Sequence, residues 1–150
     1  MLRIAKLTDY AALLMVHLAR EPARRFSAAQ LADELGLPSP TVAKLMKRLL
    51  HAGLLTSVRG AGGGYCLARA PHAITVADVV EAIEGRVALT ECAVGKGYCA
   101  REPGCATGAN WQRISRAVRA ALDTVSLDDM AGPPSRPVRV QGLKAKEIMT

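Results

Sequence analysis

The sequence predicts a mostly α-helical fold with a small β-wing, in the order of a winged helix-turn-helix followed by a long C-terminal dimerisation helix. Three observations carry that prediction. Half of the 150 residues are apolar, yet only Tyr10, Phe26, Tyr65, Tyr98 and Trp111 are aromatic, and a filler of Ala, Leu and Val suits packed helices better than a sandwich. Apolar residues recur at three- and four-residue steps in several stretches, each bounded by a capping residue or a breaker. One stretch, residues 54–67, is instead β-prone on either side of a glycine-rich centre.

The first helix covers roughly residues 3–20, with Ile4, Leu7, Ala11, Leu14 and Leu18 on one face, and stops at Glu21-Pro22. Ser27 and Gln30 form a capping box, with Phe26 and Leu31 placed as a hydrophobic staple, so a second helix runs from about 28 to Leu35 and ends at Gly36. Ser39 as N-cap and Pro40 as first helical residue open a third, which turns Val42, Leu45, Met46, Leu49 and Leu50 inward and ends at Gly53. Two short helices joined by a tight glycine-containing turn, behind a longer helix, make a helix-turn-helix whose third helix is the reader.

Leu54 to Val58 and Tyr65 to Leu67 are the arms of a hairpin, and Arg59 to Gly64 form its tip, which makes a wing. Thr75 and Asp78 form a second capping box and open a helix to about Glu84, ended by Gly85. From Arg86 to Gly108 no period is sustained, and the segment reads as an irregular loop. Trp111, Ile114, Val118, Ala121, Leu122 and Val125 then give a heptad-like stripe over residues 109–125, and a lone helix with such a stripe wants a partner, most simply its own copy. Beyond Met130 the Pro, Gly and basic composition reads as a disordered tail. The chain thus divides into a winged helix-turn-helix (1–84), a cysteine-rich loop (85–108), a dimerisation helix (109–130) and a tail (131–150).

The formal charge of +7 suggests a polyanionic partner, because each Lys or Arg placed on a phosphate releases condensed counterions. Its distribution says more than its size. Between Leu35 and Ala77 there is no Asp or Glu, while Lys44, Lys47, Arg48, Arg59 and Arg69 all fall there. Double-stranded operator DNA is therefore the expected partner. Thr41 and Lys44 are the base-contact candidates, Lys47 and Arg48 meet phosphates, and Ser39 sits at the docking end of the same helix. Arg59 can enter a narrow minor groove, and Gly60 beside it lets the backbone approach closely. A phosphate-cradling nucleotide loop is disfavoured, since no Lys-Ser/Thr follows these glycines and no helix starts there.

The apolar N-terminal stretch is interrupted by Arg3, Lys6, Asp9 and His17, so neither a signal segment nor a membrane span is expected and the chain is assigned to the cytoplasm. Thiols stay reduced there, so the four cysteines read as metal ligands or ordinary core residues rather than disulfides. Cys92, Cys99 and Cys105 are spaced Cys-x6-Cys-x5-Cys on the glycine-rich loop. A thiolate triad suits an iron–sulfur cluster or zinc, and the spacing lacks the paired Cys-x2-Cys knuckle usual for structural zinc, so an iron–sulfur cluster is favoured. No fourth Cys or His lies nearby in sequence. Cys66 reads as a packing residue, and His17, His51 and His72 lack ligand-like spacing. No Ser/His/Asp set or carboxylate pair accompanies the cysteines, so neither catalysis nor a small-molecule substrate is expected.

These residues together resemble the Rrf2 family of winged-helix transcription regulators, from Met1 to about Met130. The matching stretches are Leu7-Thr8-Asp9-Tyr10-Ala11, the wing Val58 to Tyr65, the helix Ile74 to Glu84, Leu89-Thr90-Glu91-Cys92 with the three-cysteine loop, and Trp111. The chain is most similar to the iron–sulfur-sensing branch, above all to regulators of the SUF cluster-assembly genes. The resemblance implies a homodimer with crossed long helices, Cys92, Cys99 and Cys105 as ligands of a two-iron or four-iron cluster, the helix from Pro40 in the major groove and Arg59 in the minor groove. In one branch a His three residues after the last Cys completes the site, and Gly108 stands in that place here. Another branch borrows an Asp from the partner's first helix, a place matched by Asp9, which otherwise reads as a first-turn acid favouring the helix dipole.

The expected mechanism is linkage: the occupied loop shifts the spacing of the two reader helices and so changes operator affinity, with repression as the expected output. The alternatives are a nitric-oxide- or redox-responsive repressor of the same family, and a thiol-based switch without a cluster.

Overall fold

The computed structural model describes residues 3–133 and Val138. Helix α1 spans Lys6–Arg20, three residues shorter at its start than the apolar periodicity suggests, because Ala5 is extended and no side chain caps the first turn. It turns Ala11, Leu14, Met15 and Leu18 into the core. Helix α2, Ala28–Leu35, has the full capping box: the Gln30 amide donates to Ser27 Oγ at 3.1 Å and the Ser27 amide donates to Gln30 Oε1 at 2.8 Å. Gly36 closes it in the left-handed region, a conformation that favours glycine.

Helix α3 spans Ser39–His51 and corrects one expectation, since Pro38 rather than Ser39 is its N-cap. The Pro38 carbonyl accepts the first helical bond from the Val42 amide at 3.0 Å. Ser39 is therefore already helical, makes no side-chain cap and stays exposed, and Pro40 moves to the second helical position, where its missing N–H is still harmless.

Strands β1 (Leu55–Val58) and β2 (Gly64–Leu67) pair antiparallel, in the register Leu55 with Leu67 through Val58 with Gly64. The wing is pinned to the body by a bridge in which the amides of Phe26 and Tyr65 each donate to the other's carbonyl, at 3.0 and 2.7 Å. Two glycines make this possible by lacking a side chain. A Cβ on Gly64 would lie 2.8 Å from the Phe26 carbonyl oxygen, and one on Gly63 would lie 2.3 Å from that of Val58.

A 3-10 turn, Pro71–Ala73, leads into helix α4, Val76–Glu84, opened by the expected Thr75 and Asp78 capping box. Two helices were not expected from sequence. The loop contains a single helical turn, α5 (Glu91–Val94), and after α6 (Gly108–Asp123) the chain makes α7 (Leu127–Ala131), opened by a third capping box between Ser126 and Asp129. Leu127 is buried against the core and its amide donates to the Ile74 carbonyl, so α7 belongs to the body and packs on α1. Ala131, expected as the first residue of the tail, is thus helical, and residues 134–137 and 139–150 of that expected tail lie outside the described residues.

Candidate nucleic-acid interface and cysteine loop

The reader helix is fixed by its buried side. Val42, Leu45, Met46 and Leu49 are almost wholly inaccessible, which forces Lys44 and Lys47 outward on the opposite face. Among the described residues neither lysine has a hydrogen bond or an ion pair, so their charges are free for phosphate. Ser39 is exposed at the start of α3 with Thr41 half-exposed beside it, the end from which such helices reach base edges. Arg59 and Gly60 stand exposed at the wing tip. Arg48 differs from the rest: its guanidinium donates to the Ile83 carbonyl in the last turn of α4, at 3.1 Å.

The three loop cysteines occupy different environments. Cys92 on α5 is buried, its sulfur 3.2 Å from Thr90 Oγ1 and its carbonyl accepting from the Gln112 amide group on α6 at 3.1 Å. Cys99 is half-buried in a turn where the Glu102 amide donates to its carbonyl. Cys105 is exposed just before α6, and its thiol is held below the ordinary value by the Thr107 hydroxyl, then by the amides of Thr107 and Gly108 and the charge of Arg101. Among the described residues no three His, Cys, Asp or Glu side chains converge as a metal site. Asp9 is exposed and lines a groove of about 500 Å³ between α1, α4 and α7, whose lining includes none of these thiols.

The donor chemistry fits an iron–sulfur cluster: three thiols lie on one short loop whose Gly97 and Gly104 have nothing packed where a side chain would be. The loop is open rather than closed around a centre. Cys66 sits on β2 with its sulfur 3.2 Å from Thr56 Oγ1 across the hairpin. His17 pairs with Glu34 at 2.9 Å.

Sequence reasoning missed the residues that tie α6 to the loop and to α4. Ser115 is buried and accepts from the Leu89 amide at 3.0 Å, and Arg119 donates to Glu81 on α4 at 2.9 Å. Both fall on faces of α6 that read only as polar. The remaining face leaves Trp111 and Ile114 about two-fifths exposed. No helix among the described residues is long and apolar enough to cross a membrane.

A helix-turn-helix with a free basic reader face, a β-hairpin beside it and a trailing helix define a winged-helix DNA-binding transcription regulator. A family model described as Rrf2, iron-dependent transcriptional regulator, matches residues 4–133, and the chain belongs to that family. It is 35% identical over 102 residues to the HTH-type transcriptional regulator IscR of Xenorhabdus nematophila, an alignment covering 68% of this chain and 62% of that protein. Two solved structures superpose well. CymR, the global cysteine regulator of B. subtilis, matches with a TM-score of 0.70 and 32% identity over 87% of this chain and 97% of its own. IscR of T. potens matches with a TM-score of 0.66 and 30% identity over 86% and 85%.

Proposed function

We propose that this regulator is a homodimer whose hold on operator DNA is set by an iron–sulfur cluster on Cys92, Cys99 and Cys105, and that it represses SUF cluster-assembly genes. One observation carries the reading: three of the four thiols lie on the loop between α4 and α6, next to the helix whose Trp111 and Ile114 are uncovered. The iron-dependent description of the family and the likeness to two IscR proteins support it. When bound, the cluster supplies an oxidant-sensitive inorganic core. The chain's own part is to hold it by thiolates, with Asp9 of the second copy as candidate fourth ligand, and to present Ser39, Thr41, Lys44, Lys47, Arg59 and Gly60 to DNA.

Cys105→Ala tests this without disturbing the core, because the side chain is exposed. Anaerobically reconstituted wild-type protein is expected to show visible absorption, and the variant to lose those bands and change its affinity for SUF promoter DNA. Unchanged spectra and unchanged binding would refute cluster sensing. Equal binding to scrambled DNA would refute the SUF assignment.

The separation of the thiols, the exposure of Cys105 and the likeness to CymR favour one second reading, a cluster-free thiol switch. Hydrogen peroxide would transfer one oxygen to the Cys105 sulfur, giving a sulfenic acid and releasing water. Iron and acid-labile sulfide in oxygen-free preparations decide between the two.

A further inference from the structure

Three positions in the last turn of α4 are each committed to a different element. Glu81 accepts from Arg119 of α6, at 2.9 Å to one oxygen and 3.4 Å to the other. The Ile83 carbonyl accepts from Arg48 of the reader helix at 3.1 Å. The Glu84 carboxylate accepts from the Thr8 hydroxyl and, at 3.3 Å, from the Ala5 amide at the start of α1. Thr8 is buried, so Glu84 is what satisfies its hydroxyl. The residue after Glu84 is Gly85, where the cysteine loop begins. α4 packs directly against α1, α3 and α6.

The position of Arg48 is unlike that of its basic neighbours. Lys44 and Lys47 project with no partner among the described residues, as phosphate contacts should. The Arg48 guanidinium instead meets a carbonyl that helix geometry leaves without an intrahelical donor, where a cation also suits the negative end of the dipole.

We propose that Arg48 is a positioning residue rather than a DNA contact, and that the last turn of α4 couples the cysteine loop and α6 to the reader helix through the bonds at Glu81, Ile83 and Glu84. The positioning of α3 needs only the DNA-binding role. The coupling to the loop rests on the function proposed above. A change in the loop beginning at Gly85 acts first on this turn, and Arg48 passes it to α3.

Operator and non-specific DNA affinities of the protein, measured against salt in cluster-free and cluster-loaded forms, separate these roles for Arg48→Met and Lys47→Met. Lys47→Met is expected to weaken both kinds of binding alike and to lower the salt slope by about one, as loss of a phosphate contact does. Arg48→Met is expected to keep the wild-type slope and non-specific affinity, to weaken operator binding about tenfold, and to bring the loaded-to-free affinity ratio towards one. Amide exchange in the last turn of α4 should also rise without DNA, a readout that needs no cluster. A slope lowered by about one, with unchanged exchange, would make Arg48 a phosphate contact and overturn the proposal. So would a variant indistinguishable from wild type. Should Arg48→Met not fold, Arg48→Gln is read on the same measurements. If wild type binds operator equally in both forms, cluster sensing fails, while slope and exchange still decide the role of Arg48.

Discussion

The region that meets DNA and the region that carries the thiols are held by different kinds of interaction. In residues 5–84 the side chains of Leu14, Phe26, Leu31, Met46 and Ile74 are wholly inaccessible, and α2 and α4 both open on complete capping boxes. In residues 85–107 the bonds are mostly short-range: Arg86 to the Val94 carbonyl, Gly97 to the Glu102 carboxylate, Cys105 to the Glu102 carbonyl. Among the described residues, Leu89 and Cys92 bond to the middle of α6, at Ser115 and Gln112. Burial makes the reader a finished unit, whereas the loop has little apolar burial to fix it.

The largest effect should come from the finished half. Met46→Ala removes a wholly buried side chain beneath the reader face and is expected to cost about 2–5 kcal/mol in urea unfolding. Cys99→Ala in the cluster-free protein should change stability by less than about 0.5 kcal/mol, because the loop contributes little apolar burial. Comparable losses in both variants would erase the contrast. The wing comes next: at Gly63 an added methyl would meet the backbone oxygens of Val58 and Gly60 at 2.3 and 2.8 Å, so Gly63→Ala is expected to cost about 1–3 kcal/mol and to weaken operator binding. Full stability and affinity in that variant would show that the tip gives way freely.

At the seam between the halves, Arg119→Met breaks the ion pair of α6 with Glu81. Arg119 is partly exposed and also lies near Asp123, so less than about 1 kcal/mol should be lost on chemical denaturation. A loss several times larger would mean that α6 is held to α4 by this pair rather than by apolar contact.

The same contrast explains how much could be read from sequence. Each element of the DNA-binding half announces itself: the Ser27 and Gln30 box, Gly36 and the apolar spacing from Val42 to Leu49 are local signals with local consequences. Ser39 misled because Pro38 supplied the capping carbonyl, a choice that depends on backbone geometry and not on residue preference. α7 carried the signal that marked α4, a Ser or Thr three residues before an Asp, but all of it except Ala131 lay in the segment 109–130 assigned to the dimerisation helix, whose heptad-like stripe drew the reading. In the site, exposure of Lys44, Lys47 and Arg59 followed from helix period and turn chemistry. The engagement of Arg48 with Ile83 could not follow, since it depends on where α4 packs, 35 residues further on. The three cysteines were visible as a group, but their spacing says nothing of whether the fold brings them together.

The smallest expected effect concerns a cluster that fastens α1 to α2. Glu34 accepts from His17 at 2.9 Å and from Arg24 at 2.7 Å, while Arg24 also reaches Glu21 and lies over the Phe26 ring. Desolvation pushes the Glu34 carboxyl up, but the bonds from His17 and Arg24 outweigh it and hold it below its ordinary value of 4.5. A carboxyl lowered in the folded chain binds its proton more readily when unfolded, so its stabilisation is complete above the ordinary value and is lost as pH falls through the lower, folded value. Glu34→Gln should therefore melt slightly below wild type near neutral pH and together with it in strong acid. A gap that persists in strong acid would mean that the Gln side chain disturbs packing against His17 and Phe26, and that charge at this exposed corner contributes nothing to the joint between the first two helices.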